Sequence, residues 1–232
     1  NKCLQTYIDL DDKKGQAKSH NNIGAVYGDQ GNQNLALEHY FQSLKIAEEI
    51  NDTKSIAGSM ANIGIIYFGQ GDFEKALEYY QKSHLIHLKD KNQQGIAISY
   101  NNIGTVYSAK NENEKAIEYF QKSLELSIKI GDKYAEATSY DLIGKNYVEQ
   151  KVYIIAMNYF TKALEIRTEI GDRKGAASTM VSMGQVYQKR GSKSEALKIL
   201  IKARLLAEEI GVNQEQMMSS KSLYELYKDK KD

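Results

Sequence analysis

Three asparagines, Asn22, Asn62 and Asn102, stand forty residues apart and carry the side chains of this sequence best suited to holding another peptide chain. Each amide offers an acceptor oxygen and two N–H donors, so it can satisfy a backbone N–H and a backbone C=O without reading side chains. Asparagine is also a mediocre helix former, so three in register need a reason. Two interpretations stay open: the amides bind an extended peptide, or they bond neighbouring backbone within the fold.

Other side chains that could ligate or react give weaker signals. His84 and His87 lie three residues apart, a spacing that could share a metal ion, but His84 occupies a repeat position that holds Leu44 earlier in the chain. We therefore predict that His84 packs in the core and that no metal is bound. Asp90 is predicted to face solvent at a helix end. Cys3 shares its position with small residues, so it is predicted to pack rather than to act as a nucleophile.

The elements that position these residues come from an internal repeat of forty residues, without insertion or deletion. The segment SHNNIGAVY, residues 19–27, returns as SMANIGIIY, SYNNIGTVY, SYDLIGKNY and TMVSMGQVY. Apolar residues follow the i, i+3, i+4 spacing of an α-helix in both halves of each unit. A glycine in the first half and an alanine twelve residues later predict two closely packed helices, with aromatic residues filling the space between a pair and its neighbour. The glycines are Gly24, Gly64, Gly104, Gly144 and Gly184, and the alanines are Ala36, Ala76, Ala116, Ala156 and Ala196.

Two kinds of turn separate the predicted helices, which are about 18 residues long. Within a unit, a glycine such as Gly31 supplies the positive φ that ends a helix, and Lys151 at the same position predicts a strained or differently shaped turn. Between units, Gly131 and Gly171 are predicted stops, and four residues are predicted N-caps: Asp52, Asn92, Asp132 and Asp172. The repeats therefore run over 12–51, 52–91, 92–131, 132–171 and 172–211 of a single solenoid, with a second helix of a truncated repeat over 1–11 and a terminal helix over 212–232.

Composition narrows the possible functions. The 232 residues include no proline, no tryptophan, one cysteine, and 31 basic against 30 acidic side chains. The absence of proline permits long helices, one cysteine forms no internal disulfide, and the balanced charge gives no argument for nucleic acid. No run approaches the roughly 18 apolar residues of a membrane span, so no membrane insertion is predicted in this segment. The turn GQGD, residues 69–72, lacks the ending of a phosphate loop, and nothing indicates an enzyme.

These repeats resemble the tetratricopeptide repeat family. Each unit contains the segment I-G-x-x-Y or a close variant, followed by A-x3-Y/F in most units, at the offsets of that family's pattern. The unit is longer than the usual thirty-four residues and lacks the closing proline, which is similar to the long repeats of bacterial signalling proteins and adaptor scaffolds. The resemblance implies an all-α fold, an α-solenoid (superhelix) of antiparallel helix pairs whose first helices line a concave groove.

In this family the groove is lined by the residues two and three before the repeat glycine and by those one, four and five after it. The resemblance therefore implies a ladder of asparagines that ends at Leu142, where the groove becomes mixed in charge. It excludes the type of groove that clamps the terminal carboxylate of a chaperone, because Ala25, Ala61 and Ile65 occupy the required positions. The implied peptide-binding residues are Asn21, Asn22, Asn62, Ile65, Asn101, Asn102, Thr105, Asp141, Lys145 and Gln185.

Two functional hypotheses follow from this resemblance. The first is a non-catalytic scaffold, without a cofactor, that binds a protein or an extended peptide in the groove. The alternative is an architectural or sensory module of a bacterial sensor kinase or regulator, acting through its ends or convex face, with weak end-to-end self-association. Because the chain starts with an Asn inside a second helix and Tyr224 replaces the repeat glycine near the SLYELY ending, we expect a fragment of a larger signalling protein. The sequence slightly favours the cytoplasm and is compatible with the periplasm.

Overall fold

A computed structural model describes residues 2–211 and 218–223, and every regular element in these ranges is an α-helix. Residues 218–223 are helical, whereas Tyr224, the rest of the SLYELY ending and most of the predicted terminal helix lie outside the described residues. The remaining helices, in chain order, are α1 (Lys2–Asp9), α2 (Lys13–Asp29), α3 (Gln33–Glu49), α4 (Thr53–Gly69), α5 (Phe73–Lys89), α6 (Gln93–Ala109), α7 (Asn113–Ile130), α8 (Lys133–Glu149), α9 (Tyr153–Glu169), α10 (Arg173–Lys189) and α11 (Lys193–Glu209).

Consecutive helices pack against each other within α1 to α6 and within α7 to α11, and the short turns between them make these neighbours antiparallel. The predicted all-α architecture of stacked helix pairs is confirmed. The chain falls into two compact units, residues 1–112 and 113–232, which are called unit 1 and unit 2. Unit 1 contains α1 to α6 and unit 2 begins with α7, so the boundary lies between the two helices of the repeat predicted over 92–131.

The turns are fixed by left-handed residues and by polar N-caps. The four predicted N-caps each accept a hydrogen bond from the backbone N–H three residues later, as Asp132 does from Ala135 at 3.0 Å. Gly131 and Gly171 have φ of +72° and +71°, which confirms them as helix stops. These contacts satisfy N–H and C=O groups that a helix end leaves unpaired.

The turn at Lys151 keeps the shape of the others, so of the two predicted alternatives, a strained turn or a differently shaped one, the second is excluded. Its φ is +61°, and its N–H donates to the Val148 carbonyl at 2.9 Å, as the Gly31 N–H does to the Gly28 carbonyl at 2.9 Å. The predicted strain is present, because a side chain in the left-handed region costs roughly 1–2 kcal/mol.

Repeat glycines such as Gly64 let an aromatic ring of the second helix lie against the first helix, and at Gly184 the side chain of Leu200 takes the place of the ring. A Cβ built on Gly64 would lie 2.7 Å from the ring of Tyr80, and one built on Gly144 would lie 2.7 Å from the ring of Phe160. All five glycines are buried, as the sequence predicts. The aromatic ring therefore fills the space within a pair, and Tyr40 also joins the buried cluster that continues to Ile63 of the next pair.

A second packing rule connects each second helix to the first helix that follows it. The bulky side chains of Tyr7, His87 and Arg167 each lie over a glycine eight residues later, where a Cβ would collide with them: Gly15, Gly95 and Gly175. Where this position of the second helix is small, at Ala47 and Ser127, the partner has a side chain, Ser55 and Ala135. A bulky residue on the second helix is thus opposed by a glycine, and a small residue is opposed by a residue with a side chain, as close packing of the two helices requires.

Cys3 departs from its predicted packing role. Its repeat equivalent, Ser43, is 1% exposed and lies 2.9 Å from the Ser59 hydroxyl on the next first helix. Cys3 is exposed on α1, a helix that packs against α2. No helix in the described ranges is long and apolar enough to cross a membrane.

Candidate functional site

The predicted asparagine column lies on the first helices of unit 1. Asn22 on α2 is exposed, while Asn62 on α4 and Asn102 on α6 are half-buried. The Asn62 amide donates to Oδ1 of Asn21 at 2.9 Å and so joins α2 to α4. This bond engages one donor of Asn62 and the acceptor oxygen of Asn21, and a primary amide has two donors and an oxygen with two lone pairs. The structural and the peptide-binding interpretations are therefore compatible.

Apolar side chains lie beside these amides. Val26 on α2 is 55% exposed and Ile65 on α4 is 51% exposed, whereas Ile66, the repeat equivalent of Val26, is 7% exposed. The surface formed by Asn21, Asn22, Val26, Asn62 and Ile65 is called the amide face. It combines groups that can bond a peptide main chain with apolar groups that can contact its side chains.

The predicted site residues on α6 are less accessible. Asn101 is buried, with 6% exposure, and Thr105 is half-buried. The Thr105 hydroxyl donates to the backbone carbonyl of Asn101 at 2.8 Å, a bond between residues one turn apart in the same helix. Asn101 therefore contributes to the packing of α6, and Thr105 is partly accessible.

Two cavities meet at Asn22. The first, of about 350 Å³, lies between the N-terminal halves of α2 and α4, and the second, of about 360 Å³, lies along α2. The first cavity is lined by Lys14, Lys18, Asn21, Asn22, Ser43, Asp52, Lys54, Ser55 and Gly58. The second is lined by Asn22, Ile23, Val26, Tyr27 and Gln30. A ligand that contacts Asn22 can thus reach both cavities: the first, called the polar cavity, is lined by charged and polar residue types, and the second, called the apolar cavity, has Ile23 and Val26 in its lining.

The polar cavity contains more positive than negative side chains. Lys14 Nζ lies 3.6 Å from Asp52 Oδ2, and Asp52 also accepts hydrogen bonds from the N–H and the hydroxyl of Ser55. Burial acts to raise the pKa of Asp52, but the bonds from Ser55 and the charge of Lys14 outweigh it, so the pKa is lowered. Asp52 is therefore a stably ionised N-cap, and its charge is engaged by α4 and Lys14.

The predicted site residues of unit 2 are arranged differently. Asp141 on α8 is 6% exposed, and its carboxylate accepts hydrogen bonds from Arg167 at 2.7 and 3.0 Å and from the Thr179 hydroxyl at 3.0 Å. Arg167 on α9 also pairs with Asp172, the N-cap of α10. This buried cluster connects α8, α9 and α10. A ligand would have to compete with these bonds for the carboxylate of Asp141.

The charge state of the cluster follows from two opposed effects. Burial raises the pKa of Asp141, and the guanidinium of Arg167 opposes that rise. Burial lowers the pKa of Arg167, but the carboxylates of Asp141 and Asp172 outweigh it, so the pKa is raised.

Of the other predicted site residues in unit 2, Lys145 is exposed and Gln185 is half-buried.

The histidines behave as packing residues. His84 is half-buried, its Nδ1 lies 2.6 Å from the Ser99 hydroxyl, and its ring centroid lies 4.8 Å from that of Tyr100. Asp90 is exposed, as predicted. In the described part of the chain, no three His, Cys, Asp or Glu residues are grouped so as to hold a metal ion.

Asp141 is a predicted site residue, but its partner Arg167 was not predicted. Arg167 occupies a position that holds Ala47 and Ala207 in other repeats, and Gly175 follows it by eight residues. The column also holds the bulky Tyr7 and His87, each followed by a glycine eight residues later, so a cation at this position is the signal that could have identified the buried ion pair.

Stacked helix pairs of this kind define a helical-repeat protein of the α-solenoid class. Models of the tetratricopeptide repeat match residues 17–50, 55–129, 95–169 and 135–209. These ranges include most of the chain, which therefore belongs to the tetratricopeptide repeat family. Among curated protein sequences, none is similar enough to count as a match.

Solved structures of the same fold include proteins captured with ligands. A Rap protein complexed with Competence and Sporulation Factor is 19% identical, with a TM-score of 0.80 over 89% of this chain and 57% of that one. The Rap conjugation gene regulator of plasmid pLS20, in complex with the Phr* peptide, is 18% identical, with a TM-score of 0.80 over 90% and 58% of the two chains.

A third similar structure belongs to a larger protein. It is a signal transduction ATPase with numerous domains that carries a tetratricopeptide repeat sensor, from Pyrococcus horikoshii. It is 20% identical, with a TM-score of 0.65 over 93% of this chain and 37% of that one. At these identities the likeness establishes the fold.

Proposed function

We propose that this chain is a scaffold that binds an extended peptide segment of a partner on the amide face. The observation that carries the proposal is the hydrogen bond from Asn62 to Asn21, which fixes two amides on adjacent first helices beside the exposed Asn22. Side chains that are held in place before binding lose less conformational entropy when a ligand arrives. The Rap regulator solved with the Phr* peptide, which has the same fold, supports a peptide as the class of ligand.

In the proposed mode of binding, amides bond the main chain of the peptide and apolar groups contact its side chains. Asn22 and the remaining donor of Asn62 would bond the N–H and C=O groups of the peptide main chain. Val26 and Ile65, each about half exposed, would contact its side chains. Main-chain bonds give affinity, and the side-chain contacts on either side give specificity.

The test uses a peptide selected on the intact chain from a phage-displayed library of random dodecapeptides. Its affinity is measured by fluorescence anisotropy for the wild type and for the Asn22→Ala/Asn62→Ala/Asn102→Ala variant. We expect at least a tenfold loss of affinity, with a melting temperature lowered by only a few degrees, because one amide bond contributes about 1 kcal/mol.

A matched control carries Asn34→Ala and Asn158→Ala, two exposed asparagines on the second helices α3 and α9. It should retain wild-type affinity. The proposal is wrong if the triple variant binds as tightly as this control. It is also wrong if the triple variant melts many degrees lower and yet keeps its affinity for the peptide, because the asparagines would then act in the fold alone.

A second candidate function is an assembly or sensory module of a larger signalling protein. It is supported by the similar sensor region of the Pyrococcus horikoshii ATPase and by the exposed Ile8 and Leu10, which are 48% and 70% exposed at the end of α1. This hypothesis expects concentration-dependent association in sedimentation velocity that Ile8→Glu removes. A monomer at all concentrations would count against it.

A further inference from the structure

The polar cavity between α2 and α4 has the charge of an anion-binding site. Three lysines and one aspartate line it, and the remaining lining residues are neutral. The one carboxylate of the cavity, that of Asp52, lies close to Lys14. The other two lysines, Lys18 and Lys54, are exposed. The whole chain has a formal net charge of only +1, so this excess of positive charge is local.

The cavity is open because one repeat position lacks a side chain. Gly58 on α4 stands where α2 has Lys18, and a Cβ added to Gly58 would meet nothing within 4 Å. At the same position, the later repeats have Ile98, Thr138 and Ser178. Lys18 is therefore the lysine that distinguishes the first repeat, and the space over Gly58 is not filled by the fold.

The neighbouring amides give this cavity a place on the proposed peptide path. Asn21 and Asn22 line it, and Asn22 also lines the apolar cavity with Ile23 and Val26. A peptide held at Asn22 could direct one side chain towards the lysines and another towards the apolar cavity.

We infer that the peptide bound on the amide face is acidic, with an Asp or Glu side chain seated between Lys18 and Lys54 and an apolar side chain close to it in sequence. This inference rests on the proposed peptide-binding function and adds the class of peptide. A carboxylate that receives hydrogen bonds from ammonium groups in a partly enclosed cavity binds more strongly than it would on an open surface.

A nucleic acid is the less suitable occupant of the same cavity. Its phosphates could also pair with lysines, but recognition of a strand requires a basic stripe along its path. Here the apolar cavity of Ile23 and Val26 shares Asn22 with the cavity that the lysines line. The combination of one charged and one apolar cavity matches a peptide that has both kinds of side chain.

The test is a selection from phage-displayed random dodecapeptides, in which the peptide's C-terminus is fused to the coat protein. A selected carboxylate is then a side chain and not a chain terminus. Selections are run on the wild type, on Lys18→Glu/Lys54→Glu, and on the control Lys45→Glu/Lys198→Glu, which makes the same charge change at exposed lysines of α3 and α11. Circular dichroism checks that each variant keeps the helix content of the wild type.

We expect the wild type and the control to enrich peptides with an Asp or Glu beside an apolar residue, and the Lys18/Lys54 variant to lose that enrichment. In fluorescence anisotropy, changing the selected acid to its amide should weaken binding to the wild type at least tenfold. The same change should matter little for the Lys18/Lys54 variant. Added salt should weaken the acidic peptide more than its amide counterpart.

The other outcomes are distinguishable. Enriched peptides without acidic residues would overturn the inference and leave the proposed function standing. Failure to enrich any peptide would overturn both. Tighter binding of a single-stranded oligodeoxythymidine than of the selected peptide would replace the peptide by a nucleic acid and overturn the inference as well.

Discussion

The same repeat position holds Asn21 in unit 1 and Asp141 in unit 2, and the two residues have different surroundings. Asn21 is half-buried and accepts a bond from Asn62 of the adjacent first helix. Asp141 is buried and accepts bonds from Arg167 of a second helix and from Thr179. The neutral position lines a cavity, and the charged position lies in a closed cluster.

The difference shows how one backbone plan can support either an open or a closed polar position. An amide with one bond retains further donors and acceptors, so it can serve the fold and still bind a ligand. A buried carboxylate cannot, because an unpaired charge in the interior costs several kcal/mol and must be matched on the spot. The equivalent second-helix residues differ accordingly: Arg167 in unit 2 and Ala47 in unit 1.

The largest expected effect comes from removing the cation of the closed cluster. Arg167→Ala leaves Asp141 and Asp172 without their guanidinium and should lower the free energy of unfolding by about 3–5 kcal/mol. Urea denaturation followed by circular dichroism measures the loss. The control Arg204→Ala, at an exposed residue of α11, should cost less than about 0.5 kcal/mol.

A companion variant separates charge from packing. Asp141→Asn/Arg167→Met removes both charges and keeps most of the volume, so it should recover much of the stability that Arg167→Ala loses. If Arg167→Ala lowers the free energy of unfolding no more than Arg204→Ala does, the cluster does not stabilise the fold and the contrast between the units disappears.

A smaller effect is expected from two glycines of the same helix, α4. Gly64→Ala places a Cβ 2.7 Å from the Tyr80 ring and should destabilise by about 1–3 kcal/mol. Gly58→Ala meets nothing within 4 Å and should stabilise by up to about 1 kcal/mol, since alanine is the better helix former. Thermal melting of the two variants gives the comparison, and equal effects would contradict the packing role of the repeat glycines.

The smallest expected effect is a pH dependence of stability that arises from the histidines of unit 1. All four histidines lie in unit 1, and burial lowers the pKa of His20, His84 and His87 below the ordinary value of 6.5. The unfolded chain then binds more protons than the folded chain below that pH, so stability is complete above pH 6.5 and falls as the pH drops through the folded pKa values. His84→Leu, which copies Leu44, should make the melting temperature less dependent on pH between 7.5 and 5. An unchanged pH dependence would show that His84 does not titrate with folding.

Much of the fold follows from the sequence because local signals and the repeat agree. The glycine column, the N-caps such as Asp132 and the stops Gly131 and Gly171 each act within a few residues, so their roles follow from spacing alone. The turn at Lys151 shows where this fails. The lysine predicts strain but leaves the shape of the turn open, and the lysine adopts the common geometry with a positive φ.

The candidate site was less predictable, because its properties depend on pairs of residues far apart in sequence. Position in the repeat placed Asn21 and Asp141 in one column, but the bonds to Asn62 and Arg167 determine which remains available. Likewise, Cys3 shares a column with buried serines and is exposed because burial depends on neighbouring helices. The lysine cavity arises from Lys18 and Lys54 on two helices with Gly58 leaving space, a combination that forty-residue spacing does not indicate.

The most direct measurement of the central claim is a titration of the isotopically labelled chain with the selected peptide, observed through the side-chain amide signals of asparagine by nuclear magnetic resonance. The account predicts that the NH2 signals of Asn22 and Asn62 shift with the peptide, while those of Asn34 and Asn158 on second helices stay in place. Shifts confined to the second helices, or to α8 and α10 of unit 2, would contradict it.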